Sequence, residues 1–433
     1  QASPKTRGSV ILQIQRTLAS AKDKAAAFSM LDALVTPYLA LPEAHLALAQ
    51  AAFSNGDGAR AMQEAQLAIS AKPDSELAVL TLAQVAPDKT AATQALATFL
   101  QRYPKAREVR IAYARLLTEQ KLYEQARGEF NTLLKTDPKD LTSLFALGIL
   151  SAQLDDYRGA ERYLTSYIQI LTAQPDEARD PTQALLLLAQ LAQDRKDTDA
   201  ALKWLGQIEP GPAYLSAQIR SAQLVAARGQ IDAARKMLAE IPTDGEREQT
   251  QVTLTEGQIL RDAGRVPEAL ALLQNALQRA PDNTDLLYDY AMLAEKLDKL
   301  EAMEKALRKI IELAPKNQHA YNALGYSLAE RNLRLPEALQ LIETALRLAP
   351  DDPFILDSMG WVQYRLGKLP EAEKYLQRAY ALQPDAEIGV HLGEVLWVKG
   401  QRDAAEKLWR DARTKDPQND ALKNTLARLQ VQL

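Results

Sequence analysis

Apolar and small residues recur along the chain at the three- and four-residue spacing of an α-helix. In the stretch 353–384 they are Leu356, Met359 and Gly360, followed after a turn by Ala372, Leu376 and Ala379. The next stretch repeats the pattern with Leu392, Gly393, Leu396, Ala405, Trp409 and Ala412. Two neighbouring matches in the same register predict a repeated unit made of two packed helices.

Prolines close these units at a regular interval. They are Pro73, Pro104, Pro138, Pro175, Pro210, Pro242, Pro281, Pro315, Pro350, Pro384 and Pro417, in steps of 31 to 39 residues. Pairs of small residues 12 positions apart precede many of them: Gly148 and Ala160, Ala222 and Ala234, Gly257 and Ala269, Gly360 and Ala372, Gly393 and Ala405. Each pair predicts a point where two helices cross closely, because a larger side chain would separate the backbones.

This period, with several steps of 34 residues, resembles the tetratricopeptide repeat. The resemblance implies an all-α fold, a solenoid in which antiparallel helix pairs stack into a right-handed superhelix. We expect a degenerate helical pair in residues 1–40, a tandem array of about ten repeats in 41–417, and a polar capping helix in 418–433.

Composition agrees with packed helices, since aromatic residues make up 6% of the chain and glycine contributes 18 of 433 residues. A net charge of -4 gives no general attraction to nucleic acid or anionic lipid. The lack of cysteine excludes disulfides and thiolate metal sites. No apolar run approaches the roughly 20 residues that span a bilayer, and the start of the chain lacks the apolar stretch of a signal peptide.

The candidate binding residues follow from the repeat. In such a superhelix the first helices line the concave wall, so first-helix positions outside the packing set are exposed to a partner. We predict a partner-binding group of aromatic and polar residues there: Tyr288, Asp289, Tyr326, Asp357, Trp361, Tyr364, Arg365, His391, Glu394 and Trp397. Aromatic anchors with polar neighbours suit the capture of a peptide or a partner's helix.

A packing role is the alternative for several of these aromatic residues. Tyr288 and Tyr326 fill space between adjacent first helices equally well, and Trp409 occupies a packing position on a second helix. His319 and His391 have no carboxylate or second histidine at metal-ligand spacing in the sequence, so a surface or packing role is favoured over metal binding.

Catalytic motifs are absent from the sequence. It contains no Walker loop, no dinucleotide-binding glycine pattern, no H-E-x-x-H and no nucleophile elbow. The acidic pairs Asp155-Asp156 and Asp351-Asp352 fall in turns, where capping of helix N-termini explains them. We therefore predict a protein that is not an enzyme and binds no cofactor, metal, nucleic acid or small-molecule substrate.

A more specific resemblance lies in the stretches His319-Ala-Tyr-Asn-Ala-Leu-Gly-Tyr, Asp351-Asp-Pro-Phe-Ile-Leu-Asp-Ser-Met-Gly-Trp and His391-Leu-Gly-Glu-Val-Leu-Trp. Residues 319–417 resemble the tetratricopeptide lipoproteins of proteobacterial outer membranes that bind a carboxyl-terminal processing protease. The resemblance implies a periplasmic adaptor that activates the protease and brings it substrates such as peptidoglycan hydrolases. That family begins with a lipid-modified cysteine after a signal peptide, and neither is found in this sequence, so a trimmed form of an anchored protein is expected.

Two other functions remain open at this point. The chain is alternatively a cytoplasmic co-chaperone or peptide-binding assembly scaffold, although Asn322 has no matching asparagine and lysine in the adjacent repeats to grip a terminal carboxylate. It is also comparable to the repeat portion of a glycosyltransferase, although no second domain is left for catalysis. The oligomeric state is not determined by these patterns.

Overall fold

The computed structural model describes residues 6–174 and 179–433. Pro175 and the first five residues, both used in the sequence analysis, lie outside the described residues. Throughout the described ranges every regular element is a helix, so the predicted all-α fold is confirmed. None of the described helices combines the length and apolar character that crossing a bilayer requires.

The chain divides into two compact units, residues 1–217 and 218–433. The division falls within α13 (Tyr214–Ala227). The helices of the first unit are α1 (Arg7–Leu18), α2 (Lys24–Val35), α3 (Pro42–Ser54), α4 (Gly58–Ala71), α5 (Glu76–Val85), α6 (Lys89–Arg102), α7 (Arg107–Glu119), α8 (Tyr123–Thr136), α9 (Leu141–Gln153), α10 (Tyr157–Ala173), α11 (Thr182–Asp194) and α12 (Thr198–Leu205). A short 3₁₀ turn, Thr36–Tyr38, follows α2.

The second unit continues with the same alternation of first and second helices. Its helices are α14 (Ile231–Ala239), α15 (Glu246–Asp262), α16 (Val266–Arg279), α17 (Thr284–Lys296), α18 (Leu300–Leu313), α19 (Gln318–Glu330), α20 (Leu335–Leu348), α21 (Pro353–Arg365), α22 (Leu369–Leu382), α23 (Ala386–Val398), α24 (Arg402–Lys415) and α25 (Asp420–Leu429). Among the described residues, contacts join five helix pairs from α3 to α12 in the first unit and five from α15 to α24 in the second. The predicted division into residues 1–40, 41–417 and 418–433 concerns repeat type and stays a prediction.

Capping side chains fix where many of these helices begin. The Asp156 carboxylate accepts a hydrogen bond from the Gly159 amide at 2.9 Å, and Asp352 accepts from the Phe354 amide at 2.9 Å. Each bond satisfies an amide that has no partner in the first turn of the helix. The prediction that the acidic pairs at 155–156 and 351–352 cap helices is therefore confirmed.

Close helix crossings hold each pair together. A Cβ atom added to Gly360 would lie 3.0 Å from the Ala372 carbonyl oxygen and 2.5 Å from Leu376 Cγ. A Cβ atom at Gly393 would lie 2.4 Å from Trp409 Nε1, and the Trp409 indole is fully buried and donates to the Val390 carbonyl at 3.2 Å. Gly360 and Gly393 thus stand at close crossings, as the sequence predicted, and the prediction of a core role for Trp409 is confirmed. The crossing at Gly257 is looser than predicted, since a Cβ atom there would meet only Leu273, at 3.6 Å.

The turn inside most pairs contains one residue with a positive φ. Five of these residues are glycines, and the others include Lys121 (φ 61°), Asp298 (φ 56°) and Asn332 (φ 55°). A left-handed residue ends the first helix and reverses the chain within a few residues. The same turn therefore recurs with different side chains, which explains why glycine alone does not mark the repeats in the sequence.

First helices of successive pairs contact one another within each unit. In the first unit α3 contacts α1 and α5, and in the second unit α21 contacts α19 and α23. Each second helix packs beside its own first helix and the next one, as α20 does with α19 and α21. The first helices accordingly form the inner wall of each unit, which is where the sequence analysis placed the binding residues.

Substituting Gly360 with alanine should destabilise the second unit by about 1 to 3 kcal/mol, because the added methyl has no space against Ala372 and Leu376. Gly257→Ala is the matched control, since its new Cβ would meet only Leu273 at 3.6 Å. That control should change stability by no more than about 1 kcal/mol, with helix propensity in its favour. Urea unfolding followed by circular dichroism measures both, and equal midpoints would contradict the crossing argument.

Candidate partner-binding site

All ten residues predicted to bind a partner lie on first helices of the second unit. Tyr288 and Asp289 are on α17, Tyr326 is on α19, and the other seven divide between α21 and α23. Six of them are partly exposed on the inner wall: Tyr288, Asp289, Tyr326, Tyr364, Arg365 and Trp397. The other four are buried: Asp357, Trp361, His391 and Glu394. For these four the prediction of an open concave position is wrong, while a role in binding stays untested for all ten.

The buried His391 sits at the centre of a cluster that joins three first helices. Its Nδ1 lies 2.9 Å from an Asp357 carboxylate oxygen, and its Nε2 lies 3.4 Å from the Tyr326 hydroxyl. Burial disfavours the charged imidazole, but the adjacent Asp357 charge and hydrogen bond, helped by Glu387 and Glu330, raise the pKa of His391 to about 9. His391 is therefore a cation at neutral pH. Its carboxylate partner Asp357 lies 34 positions away in the sequence, and the packing role considered for His391 agrees with its burial.

The Trp361 indole is only 2% exposed and is held on both sides by its own chain. Its ring stacks on the His391 ring at 4.1 Å between centroids, and the Arg365 guanidinium lies 4.8 Å from its centre. The indole N–H donates to a Glu330 carboxylate oxygen at 2.6 Å. Trp361 was expected to be a free anchor, but these contacts make it a link between α19, α21 and α23.

Tyr326 and Tyr364 on the inner wall both lie beside carboxylates. Burial, followed by the charge of Glu387, raises the pKa of Tyr326, whose hydroxyl donates to Glu387 at 3.3 Å. Burial and the neighbouring Glu394 charge raise the pKa of Tyr364 to about 12. Both hydroxyls remain protonated at neutral pH and serve as hydrogen-bond donors on the inner wall.

Glu394 links α23 to the last helix of the chain. Its side chain is 0% exposed, and its Oε2 accepts from Arg428 at 2.6 Å and from Thr425 at 3.3 Å. Because a buried carboxylate is costly without a cation, the Arg428 guanidinium offsets the cost of burying the Glu394 side chain. The pair holds α25 against the final repeat.

The pairs between neighbouring repeats were not predicted from the sequence, although a signal for them exists there. The paired residues His391 and Asp357 are separated by 34 positions, and so are Glu394 and Arg428. A separation of one repeat places two residues at equivalent positions on neighbouring first helices. Complementary side chains one period apart therefore predict inter-repeat pairs, whereas a search for local motifs does not find them.

An open polar groove lies on the inner wall formed by α13, α15 and α17. Its volume is about 720 Å³, and its lining includes Gln223, Arg247, Gln251, Gln258, Asp285 and Asp289. Only Asp289 of this set was predicted. Burial, and then repulsion by Asp285, raises the pKa of Asp289 against the opposing effect of Arg261.

Two of the cavities among the described residues of the first unit differ from this groove. One, of about 430 Å³ on the wall of α7 and α9, combines the apolar Phe145 and Ile149 with Arg115 and Arg179. The other, of about 480 Å³, is mainly apolar and lies among α4, α5 and α6. Both are large enough for a ligand-sized group, and the sequence analysis predicted neither.

The described residues contain no group of three or more histidine, cysteine, aspartate or glutamate side chains arranged to hold a metal ion. The described inner walls present hydrogen-bond donors and acceptors, carboxylates, guanidinium groups and ring faces.

Arg428→Ala should destabilise the last repeat by about 3 kcal/mol, because it leaves the Glu394 carboxylate buried without a cation. The matched control is Arg378→Ala, which removes the exposed ion pair with Asp351 and should cost less than about 1 kcal/mol. Urea unfolding monitored by tryptophan fluorescence reports on this region through Trp397 and Trp409. A similar loss in both variants would contradict the assigned role of Glu394.

The His391 cluster should make stability depend on pH. The folded pKa of about 9 exceeds the ordinary value of 6.5, so the stabilisation is complete below about pH 6.5 and is lost as the pH rises through 9. We expect the urea midpoint of the wild type to fall toward that of His391→Gln over this range. His319→Gln should follow the wild type, since His319 is exposed and its side chain hydrogen-bonds to Gln318 at the surface. Parallel curves for wild type and His391→Gln would rule out a charged His391.

Comparison with known proteins agrees with the helix pairs described above. Two models of the tetratricopeptide repeat match the chain, one at residues 88–147 and 260–325 and the other at 304–353 and 358–420. The first model's match ends within α19, whereas the second model's matches include α19 and continue through α24.

Two curated relatives share parts of the chain. The TPR repeat-containing protein PA4667 of Pseudomonas aeruginosa is 42% identical over 207 residues, which cover 48% of this chain and 35% of that protein. The human protein O-mannosyl-transferase TMTC1 is 30% identical over 175 residues, which cover 39% of this chain and 19% of that protein. The chain thus spans about a third of the first relative and a fifth of the second.

Among solved structures, a tetratricopeptide repeat protein from Parabacteroides merdae aligns with 57% of this chain and 97% of its own length. The identity is 15% and the TM-score is 0.46. The repeated helix pairs, the matched family models and the Pseudomonas relative together show that this chain belongs to the tetratricopeptide-repeat family.

Proposed function

We propose that this protein is a non-catalytic periplasmic adaptor that binds and activates a carboxyl-terminal processing protease and presents protein substrates such as peptidoglycan hydrolases to it. Tetratricopeptide repeats make the chain a protein-binding scaffold. An adaptor needs two separate binding surfaces. The observation that carries the proposal is that the two units offer surfaces of different chemistry.

The first surface is an exposed apolar face on α2. Met30 is 60% exposed and Leu34, one helical turn later, is 38% exposed on the same face. Leu39, just beyond the helix, is also exposed. Single exposed apolar residues are normal on a protein surface, but neighbours on one helix face suit a stable apolar interface. This face is the one that we assign to the protease.

The second surface is the polar groove of α13, α15 and α17. It offers amide and carboxylate groups in place of an apolar face. A polar groove suits transient binding of client segments, because such contacts form and dissociate without a large buried apolar area. We assign this groove to the substrates that the protease receives.

The identity of the partners is proposed from the sequence resemblance of residues 319–417 to outer-membrane tetratricopeptide lipoproteins that bind such a protease. A periplasmic location, with anchoring to the outer membrane through a lipid on the full-length protein, belongs to the same proposal. The non-catalytic role is supported by the match to tetratricopeptide repeats, which generally serve as protein-binding scaffolds.

Affinity purification of the tagged chain from a cell-envelope extract of its source organism tests the proposal. Mass spectrometry should recover a carboxyl-terminal processing protease together with cell-wall hydrolases. Recovery of cytoplasmic chaperones, or of an assembly complex without a protease, would overturn the adaptor proposal in favour of the alternative scaffold.

The double variant Met30→Ser with Leu34→Ser should reduce recovery of the protease at least about 10-fold if the α2 face is its binding surface. Leu348→Ser with Leu382→Ser is the matched control, because those leucines are 39% and 53% exposed at the ends of α20 and α22. The control should recover the protease as the wild type does. If the folded variant with Met30→Ser and Leu34→Ser recovers as much protease as the wild type, the α2 face is not the binding surface for the protease.

A further inference from the structure

We infer that the polar groove of α13, α15 and α17 binds an extended polypeptide segment and directs a lysine or arginine side chain of that segment to Asp289. The inference rests on the proposed function, because the segment would be the part of a client protein that the adaptor holds. It adds the conformation and the charge of the client, which the family resemblance does not supply.

The length of the groove fits an extended chain. On α15 the lining residues Arg247, Gln251, Leu254 and Gln258 follow one another at helical spacing on one face. From Arg247 to Gln258 the helix rises about 16 Å, which equals about five residues of an extended chain at about 3.3 Å each. The volume of about 720 Å³ accommodates such a segment with its side chains.

The polar lining matches a peptide backbone. Gln223 on α13 and Gln251 and Gln258 on α15 present carboxamides to the groove. A carboxamide both donates and accepts hydrogen bonds, so it can pair with a backbone N–H and C=O without reading the sequence. The Gln258 amide is partly engaged, since it donates to Asp262 at 2.6 Å. These glutamines are therefore suited to bind a peptide backbone rather than one particular side chain.

Asp289 supplies the preference for a basic side chain. Its carboxylate is half buried in the groove wall, and none of the described residues forms a hydrogen bond or ion pair with it. Burial raises its pKa, which shows that the charge is poorly solvated there. A lysine or arginine would supply the missing partner and recover that cost.

The remaining lining argues against other ligand classes. Glu246, Asp285 and Asp289 outnumber the single cation Arg247, so phosphate-rich ligands are repelled. No aromatic ring is among the described residues that line the groove, although sugar-binding and base-stacking sites commonly use one. The apolar Leu254 and the stems of the glutamines can pack against a peptide side chain. A basic peptide is the ligand that satisfies all of these groups.

The test uses an array of immobilised 12-residue peptides of random sequence, probed with the purified chain at low and moderate salt. The bound peptides should be enriched in lysine and arginine, and added salt should weaken them. Asp289→Asn should lose that enrichment and weaken basic peptides about 10-fold. Gln251→Ala should weaken basic and neutral peptides alike. Glu312→Gln, which removes an exposed charge on α18 in the same repeat, should behave as the wild type.

The inference is overturned if the chain binds no peptide above background, or if the bound peptides show no preference for lysine and arginine. It is also overturned if folded Asp289→Asn keeps the preference of the wild type. Binding of chitotetraose in place of peptides would assign the groove to a glycan and would also overturn it. The envelope purification distinguishes the two proposals. If peptides bind with a basic preference but no protease is recovered, the adaptor proposal fails and the groove inference stands. If the protease is recovered but the peptides show no basic preference, only the groove inference fails.

Discussion

The close crossing of two helices at a glycine or alanine is the contact on which every other feature of this protein depends. Where Gly360 meets Ala372 and Gly393 meets Trp409, no room is left for even one additional methyl group. This approach brings the second helix against the backbone of the first. The first helices of neighbouring pairs then contact one another, as α21 does with α19 and α23, so the inner wall is a consequence of how the pairs pack.

The fold was predictable because each repeat makes mostly local contacts, which leave a periodic record in the sequence. The small residues at 360 and 372 and the prolines at the ends of the pairs are such a record. The helices that hold the candidate site were also predictable, and Asp289 lies in the groove. The burial of Trp361 and His391 was not predictable from helix position alone. Each is covered by residues one or two repeats away, Glu330, Asp357 and Tyr326, whose side chains match only in pairs.

Charge is distributed differently on the two parts of this inner wall. Around His391 the charges of His391 and Asp357 are buried and paired. The exposed Glu330 and Glu387 accept hydrogen bonds from Trp361 and Tyr326, so the cluster links α19, α21 and α23. In the groove of α13, α15 and α17 no described residue forms a hydrogen bond or ion pair with the Asp289 carboxylate, although the charge of Arg261 opposes the rise in its pKa. The His391 cluster ties neighbouring repeats together, whereas Asp289 is left available to pair with a basic group of a partner. A solenoid can hold both because repeats influence chiefly their nearest neighbours.

The ion pair between Glu394 and Arg428 has a consequence for biosynthesis. Domains form as the chain leaves the ribosome, the N-terminal parts first. When α23 and α24 have emerged, Arg428 is still inside the exit tunnel, and Glu394 has no cation with which to enter the core. The repeat of α23 and α24 must therefore stay open, or hold Glu394 in water, until Arg428 has emerged. Closure of this repeat is thus timed by the synthesis of α25, the helix that follows it.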